Sequence, residues 1–226
     1  MRMSEAQLEE TIAPALEQGR VMSLKTYLLS EYGESTLHLL TTRILEHYKR
    51  VDLRGIAYTL TKELVINATK ANLKRMIFKD LNLDIDDPGD YETGMKRFKE
   101  ILEEGDFRKY KQRFRELDHW TMVTFVHSKD VLNIKVKNSF PILAIEEQRV
   151  RDKLGQARSF NSLADLLNEI DGTEGAGLGL SMICVTLNNQ GIDNRAFTLK
   201  SNEYDETAAK LEIPLNDDYI PRLARY

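Results

Sequence analysis

Residues 63–72 read ELVINATKAN and lie within the longest helical pattern of the chain, which we expect over 54–78. The apolar positions of this pattern recur every four residues and form one stripe: Ile56, Leu60, Leu64 and Ala68. Glu63, Asn67 and Lys70 are spaced by four and three residues, so they share a neighbouring face of the helix. Since asparagine within a helix lowers its propensity to form, Asn67 calls for a compensating role.

From its spacing alone, this polar face has two interpretations. Polar residues at helical spacing commonly form a solvated surface. Alternatively, a carboxylate, an amide and an ammonium group on one face suit a metal–phosphate site. There the carboxylate orients a water or acts as a base, the amide oxygen binds Mg²⁺ and the ammonium group meets a phosphate.

A glycine-rich segment, EGAGLGLSMI at 174–183, is the second notable pattern. Its alternate glycines permit close backbone approach, and the apolar run that follows predicts a helix whose free N–H groups point at the loop. This combination is typical of an anion or phosphate cradle. It is neither a P-loop, because no Gly-Lys-Ser/Thr follows, nor a Rossmann turn, because no strand precedes it. A flexible linker or a tight helix entry would have the same composition.

Patterns typical of β-strands occur in the second half of the chain, at 122–126, 131–136, 195–200 and 208–213. Residues 1–50, 91–118 and 142–170 have helical spacing instead. We therefore expect an α+β fold with a mixed sheet of four or five strands, covered on one face by helices. A helical N-terminal extension (1–50) precedes the main domain (51–226), and the extension packs on that domain or mediates dimerisation. A charged helical insertion lies at about 80–120.

Composition excludes several classes of protein. The chain has 226 residues, 42% of them hydrophobic, one cysteine and a net charge of −4. A single cysteine excludes a disulfide framework and a cysteine-based zinc site. The absence of a long apolar run and of a signal peptide predicts no membrane association and a cytoplasmic location. The negative charge argues against nucleic-acid binding through bulk charge, although it leaves a local basic patch open.

The two motifs together resemble a known family. ELVINATKAN resembles the N box of the histidine-kinase-like (GHKL-type) ATPases, which include sensor histidine kinases, gyrase B and anti-sigma kinases, and GAGLGLSMI resembles their second glycine box. The segment TAAKLEIP at 207–214 resembles the final strand of the same domain. The resemblance covers roughly 52–215, is strongest to the ATP-binding domain of sensor histidine kinases, and implies a Bergerat-type ATP-binding sandwich.

The resemblance also implies roles for individual residues. Glu63 is expected to position a catalytic water, Asn67 to bind Mg²⁺ and Lys70 to face the phosphates. Thr207 would lie near the adenine. The phosphates would be lined by glycines and by neighbouring backbone: Gly175, Gly177, Leu178, Gly179 and Leu180. The implied cofactors are ATP and Mg²⁺.

The first glycine box of that family is altered here. At 136–143 the chain reads VKNSFPIL, so Asn138 stands where the adenine-reading aspartate is expected and Phe140 stands where a glycine is expected. An asparagine accepts a hydrogen bond through its amide oxygen, but without charge. Phe140 would either shape the purine pocket or partly fill it.

The expected function is that of an ATP-binding signalling protein, with the kinase role of a two-component system as one form of it. The insertion would close over Mg-ATP as a lid, and phosphate would pass to a protein partner or to water. The alternative is a non-catalytic interaction module with a degenerate nucleotide pocket. Within the insertion, FRKYKQRFR at 107–115 fits either an amphipathic helix with buried aromatics or a nucleic-acid face. The former is favoured because the aromatics recur at helical spacing.

Overall fold

The helices of the protein follow the predicted order. The computed structural model describes residues 3–105, 107–157 and 178–225. Its helices are α1 (Glu5–Glu17), α2 (Glu31–His47), α3 (Arg54–Asp80), α4 (Pro88–Glu104), α5 (Lys111–Glu116), α6 (Ala144–Ala157) and α7 (Leu178–Asn189). None of the helices within these ranges is long and apolar enough to cross a bilayer.

Five strands form an open sheet in the order β1-β2-β3-β5-β4. They are β1 (Met22–Thr26), β2 (Thr121–His127), β3 (Val131–Asn138), β4 (Phe197–Ser201) and β5 (Thr207–Pro214). The α+β class is confirmed, but the expected mixed sheet is wrong because all four pairings of these strands are antiparallel. After α7 the chain enters the sheet at its outer edge as β4. It then returns as β5 between β3 and β4, so both neighbours of β5 run against it.

The prediction of helix throughout 1–50 missed β1. This strand pairs with β2 through five residues and forms one edge of the sheet. The flanking helices share the core of the sheet, since Ile12 of α1 and Leu37 of α2 belong to the same buried cluster as Val123 of β2. The N-terminal region therefore packs on the main domain, as one of the two expected arrangements requires.

The apolar stripe of α3 packs on the central strands. Leu60 and Leu64 are buried in the same cluster as Phe125 of β2 and Ile134 of β3. Each such side chain contributes about 1.5–3 kcal/mol through burial. Because this contact fixes the rotation of α3 about its axis, it also fixes the direction of the neighbouring polar face.

The insertion forms a second core against the C-terminal half of α3. Its buried members are Leu28, Leu73, Met76, Ile77, Phe98, Ile101 and Phe114. Phe107 and Tyr110 pack against this cluster, which confirms that the aromatics of 107–115 face a core. The α-helix itself begins only at Lys111, after a 3-10 turn at Arg108–Tyr110. Gly94 of α4 lies so close to Phe78 that a Cβ there would meet the ring at 2.4 Å, so α4 approaches α3 at a position that has no room for a side chain.

Candidate functional site

The polar face of α3 holds three half-buried side chains, Glu63, Asn67 and Lys70. The amide nitrogen Nδ2 of Asn67 is buried and has no acceptor among the described residues. Within the same part of the chain, neither Glu63 nor Lys70 forms a salt bridge or a side-chain hydrogen bond. Buried polar atoms are nearly always paired, since leaving one unpaired costs about 1–3 kcal/mol. The face is therefore polar and partly desolvated, and it holds one buried N–H group that has no partner among the described residues.

The start of α7 meets this face at Glu63. A Cβ built on Gly179 would lie 1.7 Å from Oε1 of Glu63 and 2.6 Å from its Cδ. The carboxylate thus occupies the space that any side chain at position 179 would need. The helix after the glycines is confirmed, since α7 begins at Leu178, and Leu180 packs against the core. Gly175 and Gly177 lie outside the described residues.

Asn138 lies at the end of β3 and is buried, with 4% of its surface exposed. Its Nδ2 donates to the backbone oxygen of Ala68 at 2.9 Å and to Oδ1 of Asn72 at 2.6 Å. Asn72 in turn donates through its own Nδ2 to the His119 carbonyl and to the Thr121 hydroxyl. This chain of amides ties α3 to β2 and β3. The two acceptors also fix the orientation of the Asn138 amide, since only its Nδ2, a donor, can satisfy them.

Thr207 lies directly opposite Asn138 in the pairing of β3 with β5. Its hydroxyl donates to the Phe140 carbonyl at 2.8 Å, and its backbone N–H donates to the same oxygen at 2.7 Å. Two residues that the resemblance assigns to the adenine end are therefore neighbours across the sheet. The hydroxyl of Thr207 thus donates its hydrogen bond to the backbone of the altered glycine box.

The aromatic ring of Phe140 packs against two polar side chains. The guanidinium carbon of Arg75 lies 5.0 Å from the ring centroid, and the ring of His119 meets it edge-on with centroids 5.5 Å apart. One atom of each partner, Nη1 of Arg75 and Nδ1 of His119, is buried without a hydrogen-bond partner in the described part of the chain. Burial lowers the pKa of His119, which keeps its imidazole neutral at pH 7.

Sequence reasoning missed a buried ion pair that ties α6 to α3. Glu146, in the first turn of α6, accepts from Lys74 at 2.7 Å and from Arg75 at 3.2 Å. All three side chains are at most 16% exposed. Burial alone would raise the pKa of Glu146, but the charges of Lys74 and Arg75 outweigh it and lower the pKa below its usual value. The partners are about 70 residues apart along the chain, so no local pattern signals the contact.

Two surface grooves lie elsewhere. One, of about 770 Å³, lies between α1 and α2 and is lined by Tyr32, His38 and Tyr58 among others. A second, of about 440 Å³, lies beside the turn between β2 and β3. Neither is lined by a residue of the predicted nucleotide site. Across 3–105, 107–157 and 178–225, no group of three or more His, Cys, Asp or Glu side chains is arranged to hold a metal ion.

Comparison with known proteins identifies a relative of this chain. Over 208 residues the chain is 32% identical to an uncharacterized protein of Treponema pallidum (strain Nichols). The aligned region covers 92% of this chain and 40% of that protein, so the chain spans about two fifths of the relative's length. No family model matches the chain, and no solved structure matches it.

Proposed function

We propose that the protein binds Mg-ATP between α3 and the glycine-rich segment that leads into α7, and that it acts as a signalling protein of the histidine-kinase-like ATPase class. The observation that carries this proposal is the contact of Gly179 with Glu63. It joins the two sequence motifs at one place, although they are more than 100 residues apart in the chain. The unsatisfied Asn67 lies one helical turn further along the same face.

The chemistry of this face suits a metal–triphosphate. Asn67 offers both an amide oxygen, a ligand type that Mg²⁺ accepts, and a buried N–H group that a phosphate oxygen would satisfy. Lys70 would supply positive charge to the phosphates, and Glu63 would orient a water. Since Mg²⁺ usually keeps several waters and binds through substrate phosphates, one protein ligand is enough.

The amide of Asn138 suits the amino group of adenine. Both hydrogen bonds that its Nδ2 donates go to α3, through Ala68 and Asn72, so Oδ1 is the atom that is left for a base. An exocyclic amino group is a donor and therefore complements it. The absence of charge on Asn138 would make this contact weaker than one to aspartate.

A second candidate function is that of an interaction module whose nucleotide pocket has lost ATP affinity. The observation that favours it is the placement of Phe140. Its ring belongs to the altered glycine box and packs against Arg75 and His119, where it would fill part of a purine pocket.

Equilibrium binding of ATP with and without Mg²⁺ separates the two functions. On the main proposal, the native protein binds ATP at cellular concentrations, and Asn67→Ala removes the Mg²⁺-dependent part of the affinity. Lys70→Ala weakens binding of ATP, whereas Lys79→Ala, at an exposed position in the last turn of the same helix, leaves it unchanged. A dissociation constant far above cellular ATP for the native protein would favour the interaction module.

Incubation with labelled ATP and candidate protein partners then tests phosphoryl transfer. Stability of the phosphoprotein in acid and in base identifies the acceptor type. If ATP binds but no label is transferred, slow hydrolysis with Glu63 orienting water is the remaining activity. In that case Glu63→Gln should abolish phosphate release and leave ATP binding intact.

A further inference from the structure

The face of the sheet that points away from α3 is rich in lysine. Alternation along the strands places Val123, Ile134 and Leu211 towards the helices, so the intervening residues point to the opposite side. Five lysines lie on this open face: Lys25, Lys135, Lys137, Lys200 and Lys210. They come from β1, β3, β4 and β5 and therefore extend over the whole width of the sheet.

The strand register sets the spacing of these cations. Lys25 and Lys137 both lie opposite Met122, on either side of β2, and Lys200 lies opposite Ala208 in the same cross-strand row. Neighbouring strands are about 4.8 Å apart, so the three ammonium groups follow a row about 20 Å long. Lys135 lies beside this row, two residues along β3.

Two of the five lysines are neutralised by carboxylates and three remain available. Lys137 pairs with Glu206 and Lys210 pairs with Glu212. Lys25 is exposed, with only a long 3.9 Å contact to Asp118. Lys135 and Lys200 are exposed and form no salt bridge within the described residues. The open face thus carries a net positive charge on a chain whose overall charge is −4.

Aromatic rings lie among the cations at one end of the row. The ammonium group of Lys25 is 5.3 Å from the ring centroid of Trp120 and 5.6 Å from that of Tyr27. Lys137 lies 5.7 Å from the Trp120 ring, and the guanidinium of Arg115 lies 6.0 Å from the Tyr27 ring. Both rings are partly exposed. Cations that line a backbone track, with rings for base stacking, are the two components of a single-stranded nucleic-acid surface.

We propose that this open face binds single-stranded nucleic acid. The lysines would contact successive phosphates, and Trp120 would offer its ring edge or face to a base. An acidic protein segment would form ion pairs with the lysines, but it has no bases to stack on the aromatic rings. A duplex presents stacked bases that Trp120 cannot reach. The proposal is independent of ATP binding, since no residue of the polar face of α3 takes part.

Binding is tested with a fluorescein-labelled oligonucleotide of about 12 pyrimidines, a length within the range of known single-strand sites. Three available lysines predict a log–log salt slope of about −2, so affinity should fall about twentyfold between roughly 50 and 200 mM salt. Trp120 is the only tryptophan, so its fluorescence emission directly reports the end of the lysine row at which it lies. It should be quenched as the oligonucleotide saturates the protein.

The variant Lys135→Gln/Lys200→Gln leaves one available lysine. Its salt slope should shrink to about −0.7, with only about a threefold loss over the same salt range. The matched control is Lys96→Gln/Lys99→Gln, which removes the same charge from exposed positions on α4 and should leave both slope and affinity unchanged. Both variants replace exposed side chains, so unchanged melting temperatures will confirm that they fold.

Three results would overturn the proposal. The first is no binding of the single strand at the lower salt concentration. The second is an equal loss of affinity in the α4 control, which would indicate bulk charge. The third is binding of polyglutamate, or of the corresponding duplex, as tight as that of the single strand. That result would assign the face to another kind of polyanion.

Discussion

Asn138→Asp restores the residue that the resemblance leads one to expect, and it should destabilise this protein. In the native chain Nδ2 of Asn138 donates to two acceptors, the Ala68 carbonyl and Oδ1 of Asn72. A carboxylate at this position would face both oxygens without a proton to offer. The amide of Asn72 could rotate to donate to it, but its oxygen would then face the His119 carbonyl, to which Asn72 now donates. One mismatch would therefore be replaced by another, and the Ala68 carbonyl, which lies within α3, would face a carboxylate in place of its second donor.

The magnitude follows from burial. Two hydrogen bonds are worth about 1 kcal/mol each, and a carboxylate left without partners at a 4% exposed position adds a desolvation cost. We expect a loss of about 3 kcal/mol in the free energy of unfolding at neutral pH. For a protein of this size that corresponds to a fall of roughly 6–12 °C in the melting temperature.

The stability lost in Asn138→Asp should depend on pH, and the pKa of the new carboxyl determines whether the loss grows or shrinks as the pH rises. Burial against two acceptors raises the pKa of the new carboxyl in the folded state, because the protonated form can donate one hydrogen bond. A group whose pKa is higher in the folded state stabilises below its unfolded pKa, about 3.9, and loses that contribution as pH rises through the folded pKa. Asn138→Asp should therefore approach the native stability near pH 4 and diverge from it towards neutral pH.

Urea denaturation of the native protein, Asn138→Asp and Asn138→Ala at several pH values measures this directly. The alanine variant also loses both hydrogen bonds but cannot titrate, so its difference from the native protein should be independent of pH. If the aspartate variant is as stable as the native protein at neutral pH, or parallels the alanine variant at every pH, the assigned donor pattern is incorrect.

Two further predictions concern packing and charge. Gly94→Ala should lower stability by about 1–3 kcal/mol, because its Cβ would overlap the buried ring of Phe78; the melting temperature measures this, and no change would show that α4 can shift away freely. Glu146→Gln should cost about 3 kcal/mol at pH 7, because it leaves two buried cations without a counter-charge. Since the folded pKa of Glu146 is lowered, its contribution is present above its unfolded pKa and is lost as pH falls through the folded value. The difference between native and variant stabilities in urea titrations should therefore shrink steadily as the pH is lowered into the acid range, and a difference that does not change with pH would refute the ion-pair explanation.

The local features of the fold could be predicted from the sequence. The period of four in 54–78 indicated α3, and alternation indicated the hairpin of β2 and β3. The strand β1 was missed because five residues, MSLKT, carry too short an alternation to stand out between two helices. Strand direction was missed because it depends on where β4 and β5 enter the sheet, which no local pattern encodes.

In the candidate site, too, the local pattern could be predicted from the sequence, whereas contacts between distant segments could not. Helical spacing alone placed Glu63, Asn67 and Lys70 on one face. The approach of Gly179 to Glu63 was expected only through the resemblance, since it joins distant segments. The contact of Glu146 with α3 was unexpected, because an ion pair between remote segments leaves no trace in spacing or composition.

The position of β1 has a consequence for any attempt to shorten the protein. In the full chain this strand covers the outer side of β2, whose backbone amides and carbonyls would otherwise face solvent. A fragment that starts near residue 51 would present β2 as a bare seven-residue edge that other chains could extend. β1 thus protects this edge of the sheet, and its removal should favour self-association over an independent, smaller domain.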